Sequence, residues 1–224
     1  MAQPGNEITL TASDGRRAVI VVLSRQQAEN VWRTKSTGQE SMIISNAGLM
    51  FSQNTIEMHQ FEQNEFSLQI FPEPRNPLVQ GEKPLIKSRK GIFSEYKITV
   101  PTVDAGVLLK KISDDEMDIA LPKQIPDQLS DVYLDVDFLG NSAAISHQGQ
   151  LLNDQLYNGQ PWRIGLKRYL GSQTGLTLRI KAEPWQYEFW GVPQQLVDRM
   201  KKLGPQVNGV KVIGQYKTMV KFQP

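Results

Sequence analysis

Apolar and polar residues alternate one for one through residues 131–138. Val132, Leu134, Val136 and Phe138 fall on one side, and Asp131, Tyr133, Asp135 and Asp137 on the other. Side chains alternate across a strand, so this pattern predicts a β-strand with one buried and one wet face. The following Leu-Gly-Asn reads as a turn. The string AAISHQGQLLND then reads as a hairpin closed at Gln148-Gly149, with Leu151 and Leu152 returning to the body of the sheet.

The same reading extends along most of the chain. RRAVIVVLS predicts a buried strand, and residues 42–45, 55–60 and 65–71 predict three more, separated by the polar turns Ser52-Gln53-Asn54 and Glu62-Gln63-Asn64. SRQQAENVW predicts a helical turn or two, capped by Ser24, with Ala28, Val31 and Trp32 on one face and Trp32 in the core. Residues 72–91 hold four prolines and two glycines with little alternation, which predicts an extended connector. This places a boundary between a first domain, 1–80, and a second, 81–224. Further short β-type runs follow at close spacing, NGVKVIGQY and KTMVKF among them as two separate strands. VPQQLVDRMKKLG is the clearest helix, with Leu196, Val197 and Met200 as its apolar stripe and Gly204 as its stop. The predicted class is all-β, two β-sandwich or jelly-roll-like domains with one or two short helices.

Composition narrows the chemistry. Among 224 residues, 25 basic and 23 acidic side chains nearly cancel, which argues against a surface built for nucleic acid or anionic lipid. No apolar run approaches the ~20 residues of a membrane-spanning helix, and the N-terminal stretch lacks the basic and apolar regions of a signal peptide. There is no cysteine, hence no disulfide, thiolate nucleophile or cysteine metal ligand. His59 and His147 stand outside any triad-like or zincin-like string, and phosphate-binding and dinucleotide-binding glycine motifs are missing.

Carboxylates and aromatics remain. Asp135 and Asp137 share a strand face at roughly 7 Å, a separation compatible with glycoside hydrolysis. Residues 114–118, DDEMD, form a second acidic cluster. Alternating acids are also the ordinary way to keep a sheet face soluble. Neither cluster predicts a bound cofactor, although a structural calcium ion would be compatible with oxygen ligands of this kind. In EPWQYEFWG, Trp185, Tyr187 and Phe189 alternate onto one face and Trp190 onto the other. Such rings either fill a sheet interface or stack on sugars. The neighbours Gln186 and Glu188 are not the basic residues a nucleic-acid groove needs. In LLNDQLYNGQPWRIGLKRYL, Asn158-Gly159 predicts a tight turn, Pro161 sets the entry to a strand, and Trp162 can pin the turn to the sheet.

The block from Asp131 through Gly149, Gln150 and Leu151 to Asp154, Tyr157, Asn158, Gly159, Pro161, Trp162, Ile164, Gly165, Leu166 and Tyr169 resembles a particular accessory domain. This is the β-sandwich that follows the catalytic barrel in bacterial β-galactosidases of glycoside hydrolase family thirty-five. There, a strand of the form D-(V/L)-Y-L-x-(I)-D-F leads through a hairpin to Y-N-G-x-P-W-x-I-G-L-K-R. The region from VIVVLSRQQAENVWR to SLQIFP looks like the smaller sandwich preceding that domain. The chain departs from the family in carrying no eight-fold barrel and no catalytic glutamate pair, and in having Ser146-His147-Gln148 where an aspartate-glycine turn is usual.

The resemblance implies a non-catalytic carbohydrate-binding or bracing region, extracellular or periplasmic. Its expected partners are a galactose-containing or plant cell-wall glycan, an adjacent catalytic domain, or both. The candidate sugar contacts are Trp185, Tyr187 and Trp190, with Tyr157, Asn158 and Asp154 as a second group. A glycosidase using Asp135 and Asp137, and a protein-interaction module, are the competing expectations.

Overall fold

The computed structural model describes residues 7–75, 78–81, 83–85, 87–170, 177–184 and 193–222. The protein is all-β, its sheets antiparallel and assembled into β-sandwich domains. It divides into two compact units, Met1–Thr102 with Tyr216–Pro224, and Val103–Gln215. The division thus falls at 102/103 and again at 215/216, whereas the proline-rich stretch points to 80/81. That stretch contains short strands that pair with the first unit.

Strands of the first unit are β1 (Glu7–Thr11), β2 (Arg17–Val21), β3 (Val31–Thr34), β4 (Ser41–Ile44), β5 (Gly48–Phe51), β6 (Thr55–Phe61), β7 (Glu65–Phe71), β8 (Leu78–Gln80), β9 (Lys83–Pro84), β10 (Lys87–Lys90) and β11 (Phe93–Thr99). One sheet runs β10-β11-β7-β4-β3. On its inner face Ile43, Phe66, Leu68, Ile70, Tyr96 and Ile98 are buried. In register, Ile43 and Ser94 both lie opposite Ile70, and Tyr96 lies opposite Leu68, so these side chains stack across three strands. The expected strands at 42–45, 55–60 and 65–71 are β4, β6 and β7 to within a residue at most ends.

The outer face of this sheet carries a smaller cluster. Ile44 and Phe93 are buried there, with Val21, Leu23, Val31, Met42, Phe71 and Ile92 packed around them. The segment that supplies Val21, Leu23 and Val31 includes α1 (Arg25–Ala28). Ser24 caps α1, its side chain accepting from Gln27 N at 3.2 Å while Gln27 Oε1 accepts from Ser24 N at 2.9 Å. The helix is a single turn. Val31 and Trp32 therefore sit on β3, and Trp32 is half-buried beside Phe51, ring centroids 6.0 Å apart, rather than on a helical face in the core.

RRAVIVVLS departs furthest from expectation. β2 pairs only with β1, as a two-stranded ribbon, and Val19 and Ile20 are exposed along with Ile8 and Leu10. Within β2 only Val21 reaches the outer cluster, joined by Leu23 just beyond the strand. An apolar run marks a tendency to be buried, but a ribbon with no second layer over it leaves both of its faces in water.

The second unit contains β12 (Leu108–Lys111), β13 (Glu116–Ala120), β14 (Leu129–Leu139), β15 (Ser142–His147), β16 (Gln150–Leu156), β17 (Trp162–Gly165) and β18 (Thr177–Ala182), with α2 (Gln194–Leu203). β19 (Gln206–Phe222) begins in this unit and ends in the first. Its 17 residues form one strand where the sequence suggests two. Gly214, inside this strand, is a packing seat: a Cβ there would lie 3.1 Å from Leu129 Cδ2.

One sheet of this unit runs β12-β13-β18-β15-β16, and β14 is flanked by β17 and β19. Val132, Leu134, Val136 and Phe138 are all buried, as the alternation requires. The β15–β16 hairpin closes at Gln148-Gly149, both with positive φ (48° and 81°), the backbone of a type I′ turn. On β16, however, Leu151 and Leu152 are exposed rather than returned to the core. α2 buries Val197 and Met200 and ends at Gly204, whose φ of 76° suits a residue without a Cβ.

Candidate functional site

The corner formed by residues 157–162 follows β16. Asn158 Oδ1 accepts from Gln160 N at 3.0 Å, a side-chain turn that closes the loop on itself. Gly159 takes φ 81°, and a Cβ there would meet Leu196 Cδ1 of α2 at 3.3 Å. Trp162 is buried. Tyr157 is buried as well, its ring edge-on to Phe138 with centroids 5.4 Å apart and its N–H donating to Asn141 O at 3.0 Å. Burial is the main cause that raises the Tyr157 hydroxyl above the usual phenol value, with the charge of Asp137 adding to it. Of the second group of candidate sugar contacts, Tyr157 thus faces into packing, while Asn158 and Asp154 are exposed. Trp185, Tyr187 and Trp190 lie outside the described residues.

The acidic residues are arranged by the sheet register. Asp135 on β14 lies directly opposite Arg163 on β17, and the guanidinium clasps the carboxylate with Nε and Nη2 both at 2.7 Å. Asp118 on β13 lies opposite Arg179 on β18 in the same way, at 2.9 and 3.4 Å. Asp114 pairs with Lys111 at 2.7 Å. Hydrogen bonding to these cations holds the carboxyls of Asp135, Asp118 and Asp114 below the ordinary carboxylate value. Asp137 is exposed and accepts from Asn208 Nδ2 at 3.3 Å. Asp131 Oδ1 accepts from the backbone N–H groups of Val132 and Lys167 at 2.7 and 2.8 Å, tying the single 3₁₀ turn after β17 to β14. A general acid of a glycosidase needs a raised pKa, and each of these cation-paired acids is pushed the other way.

The Asp135–Arg163 pair gives a pH-dependent expectation. A carboxyl with a depressed folded pKa contributes stability that is present above its unfolded value, near 3.9, and is lost as pH falls through the folded value. Asp135→Asn should therefore cost about 1 kcal/mol at pH 7. In urea melts repeated downward from pH 5, the gap between variant and wild type should close below about pH 4. A gap that stays constant down to pH 2 would show that the pair contributes nothing through charge.

Among the described residues no group of three or more histidine, aspartate or glutamate side chains converges as a metal set. His59 Nε2 lies 3.0 Å from Glu57 Oε1 on the same strand, β6, and His147 ends β15 beside the hairpin turn.

A feature that the sequence does not announce lies beside α1 on the outer face of β4 and β7. A cavity of about 290 Å³ opens there, lined by neutral hydrogen-bonding side chains, among them Gln27, Asn30, Asn46, Ser67 and Gln69, with Ile44 as an apolar wall. Among the described residues no charged side chain lines it. Gln27 is 6% exposed and Gln69 is 3% exposed. Each amide is oriented by a partner at one end. Gln27 Oε1 accepts from Ser24 N, and Gln69 Nε2 donates to Glu95 Oε1 at 3.3 Å. Their other ends, Gln27 Nε2 and Gln69 Oε1, are buried without a hydrogen-bond partner. Each buried group left unsatisfied costs about 1–3 kcal/mol. The one local signal in the sequence is Gln69 itself, an amide inside the apolar strand EFSLQIF.

No protein-family model matches the chain, and no curated protein shows significant similarity to it.

Proposed function

We propose that this chain is a non-catalytic accessory region of a carbohydrate-active protein, one that binds a neutral glycan or braces a neighbouring catalytic module outside the cytoplasm. The observation that supports this reading is the state of its acids. Asp135 and Asp118, the carboxylates best placed by strand register, are each held by an arginine directly across the sheet. Such pairs stabilise a sheet and leave neither carboxyl protonated to deliver a proton to a leaving group. The resemblance of residues 131–169 to an accessory sandwich supplies the substrate class.

Affinity electrophoresis of the whole chain through gels containing galactan, xyloglucan or β-glucan tests the reading. Retardation by at least one polysaccharide, with no turnover of aryl glycosides, is the expected result. Retention that weakens in Asp154→Ala or Asn158→Ala would assign contacts to the corner after β16. Turnover that disappears in Asp135→Asn would overturn the reading in favour of a glycosidase. Migration unaffected by every polysaccharide would leave bracing as the only role.

A further inference from the structure

We propose that Asn158 is a site of spontaneous covalent modification, where the corner after β16 converts its own asparagine, through a cyclic imide, to aspartate and isoaspartate. The chain holds two Asn-Gly pairs, Asn158-Gly159 and Asn208-Gly209. A glycine leaves the following backbone nitrogen unshielded by a Cβ and its backbone free to turn, so both pairs permit the reaction. The structure separates them.

The reaction joins Gly159 N to Asn158 Cγ. Hydroxide takes the proton from Gly159 N, the new C–N bond forms, and the carbonyl π electrons move onto Oδ1. The tetrahedral centre collapses by expelling Nδ2, which leaves as ammonia with a proton from water. Water then opens the five-membered imide at either carbonyl. Attack at the side-chain carbonyl gives aspartate, and attack at the main-chain carbonyl gives isoaspartate. One amide has become one carboxylate, and nothing is oxidised or reduced.

The corner assists this chemistry at Asn158. Gln160 N donates to Asn158 Oδ1 at 3.0 Å, so an N–H already points at the oxygen on which negative charge develops, the part played by an oxyanion-hole donor. The same bond folds the side chain back over the residue that follows, which keeps Cγ beside the nitrogen that attacks it. Among the described residues, Gly159 N and Asn158 Nδ2, the attacking and leaving atoms, take part in no hydrogen bond. Asn158 is exposed, so hydroxide and water reach it.

Asn208 is placed the other way. It lies inside β19 next to β14, where twisting the backbone to close the ring works against the strand ladder. Its Nδ2 donates to Asp137 Oδ1 at 3.3 Å. The leaving group is thereby tied, and a carboxylate faces the centre on which negative charge would grow.

The product matters because the corner has no slack. Isoaspartate routes the main chain through the side chain and lengthens it by a methylene. Tyr157 and Trp162, both buried, pin the two ends of the loop, and a Cβ on Gly159 would stand 3.3 Å from Leu196 Cδ1 of α2. The added length therefore displaces the loop, and a carboxylate replaces a neutral amide at one of the proposed glycan contacts.

The test incubates the whole chain at mildly alkaline pH, once folded and once in urea. Mass spectrometry of the peptides containing residues 158 and 208 reads the exchange of NH2 for OH, and enzymatic methylation of isoaspartate gives a second readout. In urea the two pairs should convert at similar rates, since only the Asn-Gly sequence remains of either site. In the folded chain Asn158 should convert at least as fast as in urea and at least about tenfold faster than Asn208. Gln160→Pro keeps the Asn-Gly pair and removes the N–H that faces Oδ1. It should slow Asn158 at least about tenfold in the folded chain and leave the rate in urea within about twofold of wild type. The inference fails if folded Asn158 converts no faster than folded Asn208, or if Gln160→Pro, with its cooperative urea transition intact, converts at the wild-type rate. Should Gln160→Pro not fold, the comparison of the two asparagines in the wild-type chain decides alone. No glycan enters these rates, so the outcome is independent of whether any polysaccharide retards the chain.

Discussion

Phe138→Ala should lower the unfolding free energy by about 3–5 kcal/mol, the largest loss expected from any single truncation in β14. Phe138 is 1% exposed at the end of the alternating strand and takes the edge of Tyr157 at 5.4 Å. Removing the ring leaves a space that neighbouring β-strands cannot collapse to fill, because their hydrogen bonds fix their separation. It also removes an aromatic contact worth about 0.5–1.5 kcal/mol beyond the buried area. Urea unfolding at constant m-value measures the effect. Phe138→Leu should recover roughly half of it, and Met50→Ala, at a side chain 53% exposed, should stay within about 0.5 kcal/mol of wild type. A Phe138→Ala loss no greater than that of Met50→Ala would mean that the face carrying Val132 to Phe138 does not bear the core of this unit.

Gly140→Ala should cost about 2–3 kcal/mol for the opposite reason, an atom too many. Gly140 lies between β14 and β15, and a methyl group built on it would stand 2.6 Å from Glu183 O, a backbone atom. That carbonyl already accepts from Asn141 N at 2.8 Å, while Glu183 N donates to Ser142 O at 2.8 Å. Relieving the clash therefore means loosening a pair of backbone hydrogen bonds that ties this turn to the residue after β18. Gly149→Ala is the informative contrast. Nothing lies within 4 Å of its added methyl, so its cost comes only from the positive φ of 81° and should be near 1 kcal/mol. If the two substitutions cost the same, the collision at Gly140 is absorbed without strain and the explanation given for it is wrong.

These two positions also show what could be read from the sequence. Phe138 belongs to a strand whose alternation is complete because one of its faces is fully buried, and burial of that kind writes itself into the residue pattern. The Gln148-Gly149 turn and the Gly204 helix stop were legible for a related reason: local backbone geometry selects the residue. Gly140 and Gly214 were opaque. Both are glycine because of an atom far away in sequence, Glu183 O in one case and a Leu129 methyl in the other. The ribbon of β1 and β2 misled because an apolar run carries no record of whether a second layer covers it. β8, β9 and β10, at two to four residues each, are too short for alternation to emerge from a proline-rich background. At the site level, the acids were visible but their roles were not, since Asp135 meets Arg163 and Asp118 meets Arg179 only through strand register. The cavity was less legible still, assembled from α1, the end of β4 and the middle of β7 with no spacing to betray it.

The irregularity in β16 bears on how this protein behaves when concentrated. Among the described residues β16 ends its sheet, and its pairing with β15 slips between Ile145 and Ser146, so that Asn153 faces Ile145, Leu151 faces Ser146, and Leu152 is left over. With Leu151 and Leu156 exposed along it, a straight rim of this composition would invite a second molecule to add its own strand. The extra residue bends the rim and breaks the even spacing of its unpaired amides and carbonyls, so an incoming chain meets a short regular stretch instead of a full template. Deleting Leu152 would straighten that rim, and the shortened protein should form fibrous aggregates at concentrations where the native chain stays monodisperse.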